Sequence, residues 1–325
     1  MLRYRLIFGP LMIIALLTVF YLDSRLDQLN IAETIWQKVF LGRTYLPAGL
    51  LMLGMVLALI PLGALELVAI FRAKDITVNP LMVTAAGMIG CFSLYLLPSD
   101  APSQTSVAIL ATIVVLLFFG TLVQHAWHRR TQGAIAATGV TMFALLYMGF
   151  LPGFFILIRR WHSAWLILGI IMVTKACDIG AYFTGKAIGK HKLIPWLSPG
   201  KTWEGLIGGV IASALVAVGL TALAGYLQSD PSNNVQILGV FSKSAGIRVF
   251  TPQTYPLWAV AIAGAVFGII GQLGDLTASL FKRDAGIKDS ASYIPGFGGV
   301  LDVVDSPLGI APLAYWILKI MATLQ

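Results

Sequence analysis

The chain has 325 residues, of which 58% are hydrophobic and only 11% charged, with a formal net charge of +8. A soluble domain carries roughly 25% charged residues, so the composition excludes one soluble core and describes a polytopic membrane protein. The basic excess reads as cytoplasmic loops facing anionic lipid, and nothing in the chain resembles a nucleic-acid-binding module.

The expected fold is all-α, with about nine transmembrane helices. Arg3 and Arg5 precede an apolar run over 6–22, and no small-residue cleavage pattern follows it, so the run reads as an uncleaved first span. Residues 23–45 are mixed and mildly amphipathic, which suits a loop or an interfacial helix. The second span covers 46–71, is interrupted by Pro61 and carries Glu66 near its end. The third covers 80–97 and the fourth 105–123. No charge occurs from Thr131 to Ile158, the fifth span, which ends at Arg159 and Arg160.

Span six, 164–184, holds Lys175 and Asp178 inside it. A basic loop follows over 185–201. Span seven covers 205–229, a polar loop 230–255, and span eight ends near Gly274. Span nine is expected over 307–324. The chain divides at this level into an N-terminal transmembrane region, 1–163, and a C-terminal catalytic region, 164–325. Cys91 and Cys177 lie in apolar segments, which argues against a disulfide framework, and the four histidines lack zinc spacing.

With the N-terminus inside, the cytoplasmic segments hold thirteen basic residues and the outer loops seven. Lys and Arg set topology, so this bias supports that orientation. Arg159 and Arg160 fall on the wrong side. The expected explanations are a miscounted span or side chains that snorkel outward.

Residues 271–306 concentrate the chemistry. They include Asp275, Lys282, Arg283, Asp284, Lys288, Asp289, Asp302 and Asp305, with glycines at 296, 298 and 299. If the helix continues past Gly274, Asp275, Ser279 and Lys282 share one face. Asp275 then either pairs with Lys175 or Lys282, or ligates a hard cation; Mg²⁺ takes few carboxylates and is completed by substrate phosphates. Asp302 and Asp305 either extend that site or cap span nine, where the helix dipole favours an acid.

A second constellation covers 175–205. Lys175 and Asp178, at i and i+3, can pair within the membrane, and an intramembrane ion pair marks a functional site by default. Ser198-Pro199 reads as an N-cap with Pro at the first helical position. Lys201 and Thr202 would then sit in a first helical turn, where free N–H groups and the dipole bind phosphate. An ordinary capped helix with basic flanks is the plainer alternative.

These residues match a known family. SLFKRDAGIKD, followed by IPGFGGVLDVVDS, resembles the motif of phosphatidate cytidylyltransferases, the CDP-diacylglycerol synthases. That family carries Ser-x-x-Lys-Arg, then Lys-Asp, then Pro-Gly-His-Gly-Gly, then Asp-Arg-x-Asp-Ser. The matching positions are Ser279, Lys282, Arg283, Lys288, Asp289, Pro295, Gly296, Gly298, Gly299, Asp302, Asp305 and Ser306. Upstream, Asp178 with Gly180, Ala181 and Tyr182, and Gly189 through Lys192, are similar to the family. So are Ser198, Pro199, Lys201, Thr202, Glu204 and Gly205, and Gly274-Asp275-Leu276. The resemblance covers the C-terminal half; the N-terminal half matches only as a set of spans. Phe297 stands where the family has His, and Val303 where it has Arg.

The resemblance implies transfer of a cytidylyl group from CTP to phosphatidic acid, giving CDP-diacylglycerol and pyrophosphate. It implies Mg²⁺, with K⁺ as a second cation, held by Asp275 and Asp302. Lys201, Thr202, Lys282, Arg283 and Lys288 would meet phosphates. Lys175, Asp178, Glu204, Asp289 and Asp305 would orient substrate or ligands, and Ser198, Ser279, Gly298 and Gly299 would line the substrate site. It places the enzyme in the cell (inner) membrane with its site facing the cytoplasm, among membrane lipids, with a second copy of the chain as a candidate partner. Three alternatives stay open: a CTP-dependent polyprenyl or phytyl alcohol kinase, an ion-coupled transporter, and an inactive lipid-binding relative.

Overall fold

The computed structural model describes residues 2–40, 43–97, 102–127, 131–229, 255–287, 290–291 and 298–323. In chain order the elements are α1 (Leu2–Leu26), the short α2 (Ile35–Val39), α3 (Leu50–Arg72), α4 (Pro80–Leu96), α5 (Ser103–Trp127) and α6 (Ala134–Ala144). A π-turn, Leu145–Phe150, joins α6 to α7 (Leu151–Arg159). Then come α8 (Ala164–Ile188), β1 (Lys192–Ile194), β2 (Ser198–Thr202), α9 (Trp203–Ser229), α10 (Leu257–Asp284) and α11 (Val300–Thr323). Among the described residues, eight helical segments are long and apolar enough to cross a membrane, α6 to α7 counting as one of them. The shorter α4 is the ninth apolar helix, so the all-α polytopic expectation holds.

The chain folds as two compact units that interleave along the sequence. The first comprises Met1–Arg5, Leu53–Ile156 and Leu280–Val304. Its core joins Ala64, Leu67 and Val68 of α3 to Val83 of α4, Ala137, Val140 and Ala144 of α6, and Met148, Ala285 and Leu301. The π-turn sets Gly149 against α4. A Cβ added at Gly149 would lie 2.9 Å from both the Gly87 carbonyl oxygen and the Gly90 Cα, so only glycine lets these backbones touch.

The second unit comprises Leu6–Met52, Leu157–Ser279 and Asp305–Gln325. Its α8 and α9 pack backbone to backbone. A Cβ at Gly180 would meet the Ala212 Cβ at 2.6 Å, and one at Gly209 would meet the Cys177 carbonyl oxygen at 2.6 Å. Gly274 of α10 and Gly309 of α11 make a similar crossing, where a Cβ at Gly309 would lie 3.1 Å from the Gly274 Cα. Four helices, α8 to α11, thereby come close enough for their polar residues to meet.

Arg159 corrects one expectation. It does not snorkel, because it is completely buried. Its Nε lies 2.6 Å from Asp23 Oδ2 and its Nη2 2.6 Å from Asp27 Oδ2. The other Asp23 oxygen accepts the backbone N–H groups of Leu51 (3.1 Å) and Met52 (3.2 Å), the start of α3. Topology rules count a basic residue as a solvated charge; this one is consumed by two acids from α1 and the turn after it.

Two helix starts also differ from expectation. Ser198-Pro199 does not cap span seven. Ser198–Thr202 pairs antiparallel with Lys192–Ile194, matching Lys192 to Thr202 and Ile194 to Ser198. The helix begins at Trp203, and the Thr202 hydroxyl receives the Gly205 N–H at 3.1 Å, so Thr202 supplies the cap. Span nine begins at Val300 rather than near Pro307, so Asp302 sits in its first turn and Asp305 one turn further in. Pro307 is inside the helix, which loses one backbone hydrogen bond there.

Candidate functional site

Within the second unit, polar side chains from α8, β2, α10 and α11 gather around Asp178. Gln272 donates its Nε2 to Asp178 Oδ1 at 2.7 Å. The hydroxyl of Ser306 and the Lys175 ammonium reach Asp178 Oδ2 at 3.3 Å and 3.4 Å. Asp275, one turn beyond Gln272, takes Lys201 at 2.6 Å. Lys201 also approaches the Gln272 carbonyl at 3.5 Å. So Asp275 pairs with neither Lys175 nor Lys282. Asp305 is buried, and its carboxylate accepts the Ser306 N–H at 2.6 Å.

Lys201 is delivered by the hairpin, and the hairpin is held by Glu204. That carboxylate, in the first turn of α9, accepts the N–H groups of Lys190 (3.1 Å) and His191 (3.2 Å) and lies 2.6 Å from His191 Nδ1. Lys192 donates to the Pro199 carbonyl at 2.8 Å. Thr202 is buried, and a Cβ at Gly185, Gly189 or Gly205 would lie within 3.0 Å of its hydroxyl oxygen. Glu204 and Thr202 therefore shape the strand that presents Lys201. Ser198 occupies the first position of that strand and Ser279 is half-buried on α10.

The first unit carries its own cluster around Asp302. Lys282 lies 2.7 Å from Asp302 Oδ1. Asp302 Oδ2 accepts from the Gly299 N–H (2.9 Å) and the Ser290 N–H (3.1 Å), and lies 2.9 Å from the Ser290 hydroxyl oxygen. Behind it sits Glu66 of α3, which is buried. It accepts from the backbone N–H groups of Val300 (2.6 Å) and Leu301 (2.9 Å), and lies 2.8 Å from the Ser290 hydroxyl oxygen, whose single proton the two carboxylates share. Gly298 has φ +95°, a conformation that suits glycine, and a Cβ there would lie 2.6 Å from Asp302 Oδ2. Arg283 is exposed, and beside it Asp284 pairs with Lys74 at 3.0 Å. Lys288, Asp289 and Phe297 lie outside the described residues.

Three members of these clusters were not foreseen as site residues. Gln272 is a lone polar side chain one turn before Asp275. Ser290 sits between two charged stretches with no pattern of its own. Glu66 did leave a signal, as an acid within an apolar span is costly unless it has partners.

Among the described residues, no three His, Cys, Asp or Glu side chains form a group that could hold a metal unaided. The acids instead stand beside lysines and offer hard oxygens, and α10 and α11 each carry one in a half-buried setting. Each acid, taken in its own unit, fits Mg²⁺, which can be bound through a single carboxylate and completed by water and substrate phosphates. The neighbouring lysines supply charge-assisted donors for those phosphates.

A family model described as the cytidylyltransferase family matches residues 30–321. The phosphatidate cytidylyltransferase of Bacillus subtilis is 30% identical over 272 residues, covering 80% of this chain and 87% of that protein. The one from Staphylococcus saprophyticus is 30% identical over 235 residues, 72% of this chain and 77% of that protein. The Haemophilus influenzae phosphatidate cytidylyltransferase is 40% identical over 152 residues, which span 47% of this chain and 45% of that protein.

Proposed function

The chain belongs to the cytidylyltransferase family, and from that premise we propose that it transfers the cytidylyl group of CTP to phosphatidic acid within the membrane. The products are CDP-diacylglycerol and pyrophosphate. The observation that carries the reading is the match over 30–321, within which polar residues of four elements converge on Asp178 and Asp275.

Both substrates are anions, so the problem is to bring a phosphate oxygen to a phosphorus that already carries negative charge. A phosphatidate oxygen attacks the α-phosphorus of CTP. A new P–O bond forms there, the bond to the bridging α–β oxygen breaks, and the electron pair leaves with pyrophosphate. No covalent enzyme intermediate is needed. Lys201 and Lys282 lie beside Asp275 and Asp302 at 2.6 Å and 2.7 Å, so each is positioned to exchange its carboxylate partner for a substrate phosphate. Charge-assisted donors of this kind stabilise charge as it develops on a leaving group. Asp178, with Gln272, Ser306 and Lys175, orients the substrate end.

Asp275 of one unit and Asp302 of the other are each a residue that would hold a cation, Mg²⁺ with K⁺ as the second. A bound divalent ion would supply charge neutralisation and alignment of the two phosphates for in-line attack. The partners on this reading are CTP, phosphatidic acid and the surrounding lipid, with a second copy of the chain as the protein partner. The excess of basic residues in one set of loops supports a site facing the cytoplasm.

Membranes containing the chain, incubated with labelled CTP and phosphatidic acid with and without Mg²⁺, test the proposal. CDP-lipid plus pyrophosphate, dependent on Mg²⁺, is the expected outcome. CDP plus a phosphorylated lipid alcohol would make the chain a kinase instead, and no turnover of either kind would overturn the enzymatic reading.

A further inference from the structure

We propose that Glu66, with Ser290 as its intermediary, is the positioning residue that aims Asp302; the inference rests on Asp302 serving as a cation ligand. Glu66 is the one acid in α3. The three groups it meets are all neutral: it accepts the Val300 and Leu301 N–H groups and shares the single Ser290 hydroxyl proton with Asp302. Val300 and Leu301 are the first two residues of α11, whose N–H groups have no acceptor within the helix. A carboxylate there satisfies both and sits where the helix dipole favours negative charge. Caps normally come from the residue just before the helix. This one comes from 234 residues away, so its placement fixes the start of α11 against α3.

Fixing that start fixes Asp302, which lies in the same first turn. The Ser290 hydroxyl oxygen is the joint, 2.8 Å from Glu66 Oε2 and 2.9 Å from Asp302 Oδ2. The Gly299 and Ser290 N–H groups hold Oδ2 as well. Oδ1 then has only Lys282 beside it among these contacts, and is the oxygen turned toward a ligand. The double glycine belongs to the same arrangement. A Cβ at Gly299 would overlap the Ser290 hydroxyl and the Glu66 carboxylate, so a side chain there would split the joint.

The test compares the full chain with Glu66→Gln, Ser290→Ala and Asp302→Asn, purified in lipid nanodiscs. Gln at 66 keeps one acceptor oxygen but presents an NH₂ to donors that need an acceptor. Ser290→Ala leaves the α11 contacts of Glu66 in place and cuts only the joint. The measurements are the Mg²⁺ concentration for half-maximal turnover, kcat at saturating Mg²⁺, and Mn²⁺ binding followed by electron paramagnetic resonance without nucleotide. Both positioning variants are expected to raise the Mg²⁺ requirement and weaken Mn²⁺ binding by about 10–100-fold, the scale seen when groups supporting a metal ligand are lost, with a smaller change in kcat. Ser290→Thr should restore both. Unchanged Mg²⁺ requirement and Mn²⁺ affinity in Ser290→Ala, with Asp302→Asn inactive, would overturn the role of Glu66 alone. Full Mg²⁺-dependent activity in Asp302→Asn would instead remove Asp302 from the site, and the inference with it. Should Glu66→Gln fail to accumulate, Ser290→Ala decides.

Discussion

Asp275 and Arg159 show how differently two charges can be used within one fold unit. Asp275 is about one-third exposed and has a single lysine at 2.6 Å, an arrangement that can be opened by an incoming phosphate. Replacing it with Asn should lower kcat by about two to three orders of magnitude, the scale of losing one charged group aimed at a transition state; turnover of labelled CTP measures this, and full activity would remove Asp275 from the site. Arg159 has no exposed surface and two acids at 2.6 Å. Its guanidinium is committed to structure. Arg159→Met leaves Asp23 and Asp27 buried without their cation and should destabilise the protein by about 3–5 kcal/mol. A thermal-unfolding series in detergent should show that drop in Arg159→Met and almost none in Lys190→Met, which alters an exposed side chain.

At the scale of the element, the spans were legible because a run of about twenty residues without charge has few other uses. Residues 131–158 announce α6 and α7 in that way, although nothing there foretells the π-turn at Leu145–Phe150. The hairpin was not legible. Ser198-Pro199 fits a helix start by every local rule, and only the partner strand, Lys192–Ile194, turns it into a strand. The motif residues of the site were readable as types and spacings. Glu66 was legible only as a costly acid in an apolar span; its partners were not, because they lie more than two hundred residues away and no periodicity connects them. Small residues carry the helix contacts, and they give a test within one helix. Gly209→Leu would push a side chain toward the Cys177 carbonyl, at 2.6 Å from its first carbon, whereas Gly219 of the same helix has nothing within 4 Å. Gly209→Leu should therefore cost about 1–3 kcal/mol or more through overpacking, and Gly219→Leu should leave the unfolding midpoint nearly unchanged.

Across the whole molecule, the two units divide the motif between them. Helix α10 gives Asp275 to one and Lys282 to the other, and α11 gives Asp302 to one and Asp305 with Ser306 to the other. Each polar cluster lies within one unit, so each can be probed by itself. Orientation is equally open to measurement. Cys91 and Cys177 are both buried and unbridged, so a cysteine placed at exposed Lys190 should be the site that a membrane-impermeant maleimide labels. Labelling is expected from the cytoplasmic side of inverted vesicles and not from the outside of intact cells; the reverse pattern would turn the site around. The Arg159 triad adds a matter of timing. Synthesis proceeds from the N-terminus, so Asp23 and Asp27 are made 136 and 132 residues ahead of their shared cation. Until that arginine leaves the ribosome, the corner between the first and third helices has no counter-ion to close on. Nascent chains stopped before it are expected to be drawn to quality-control proteases, and those stopped after it to survive.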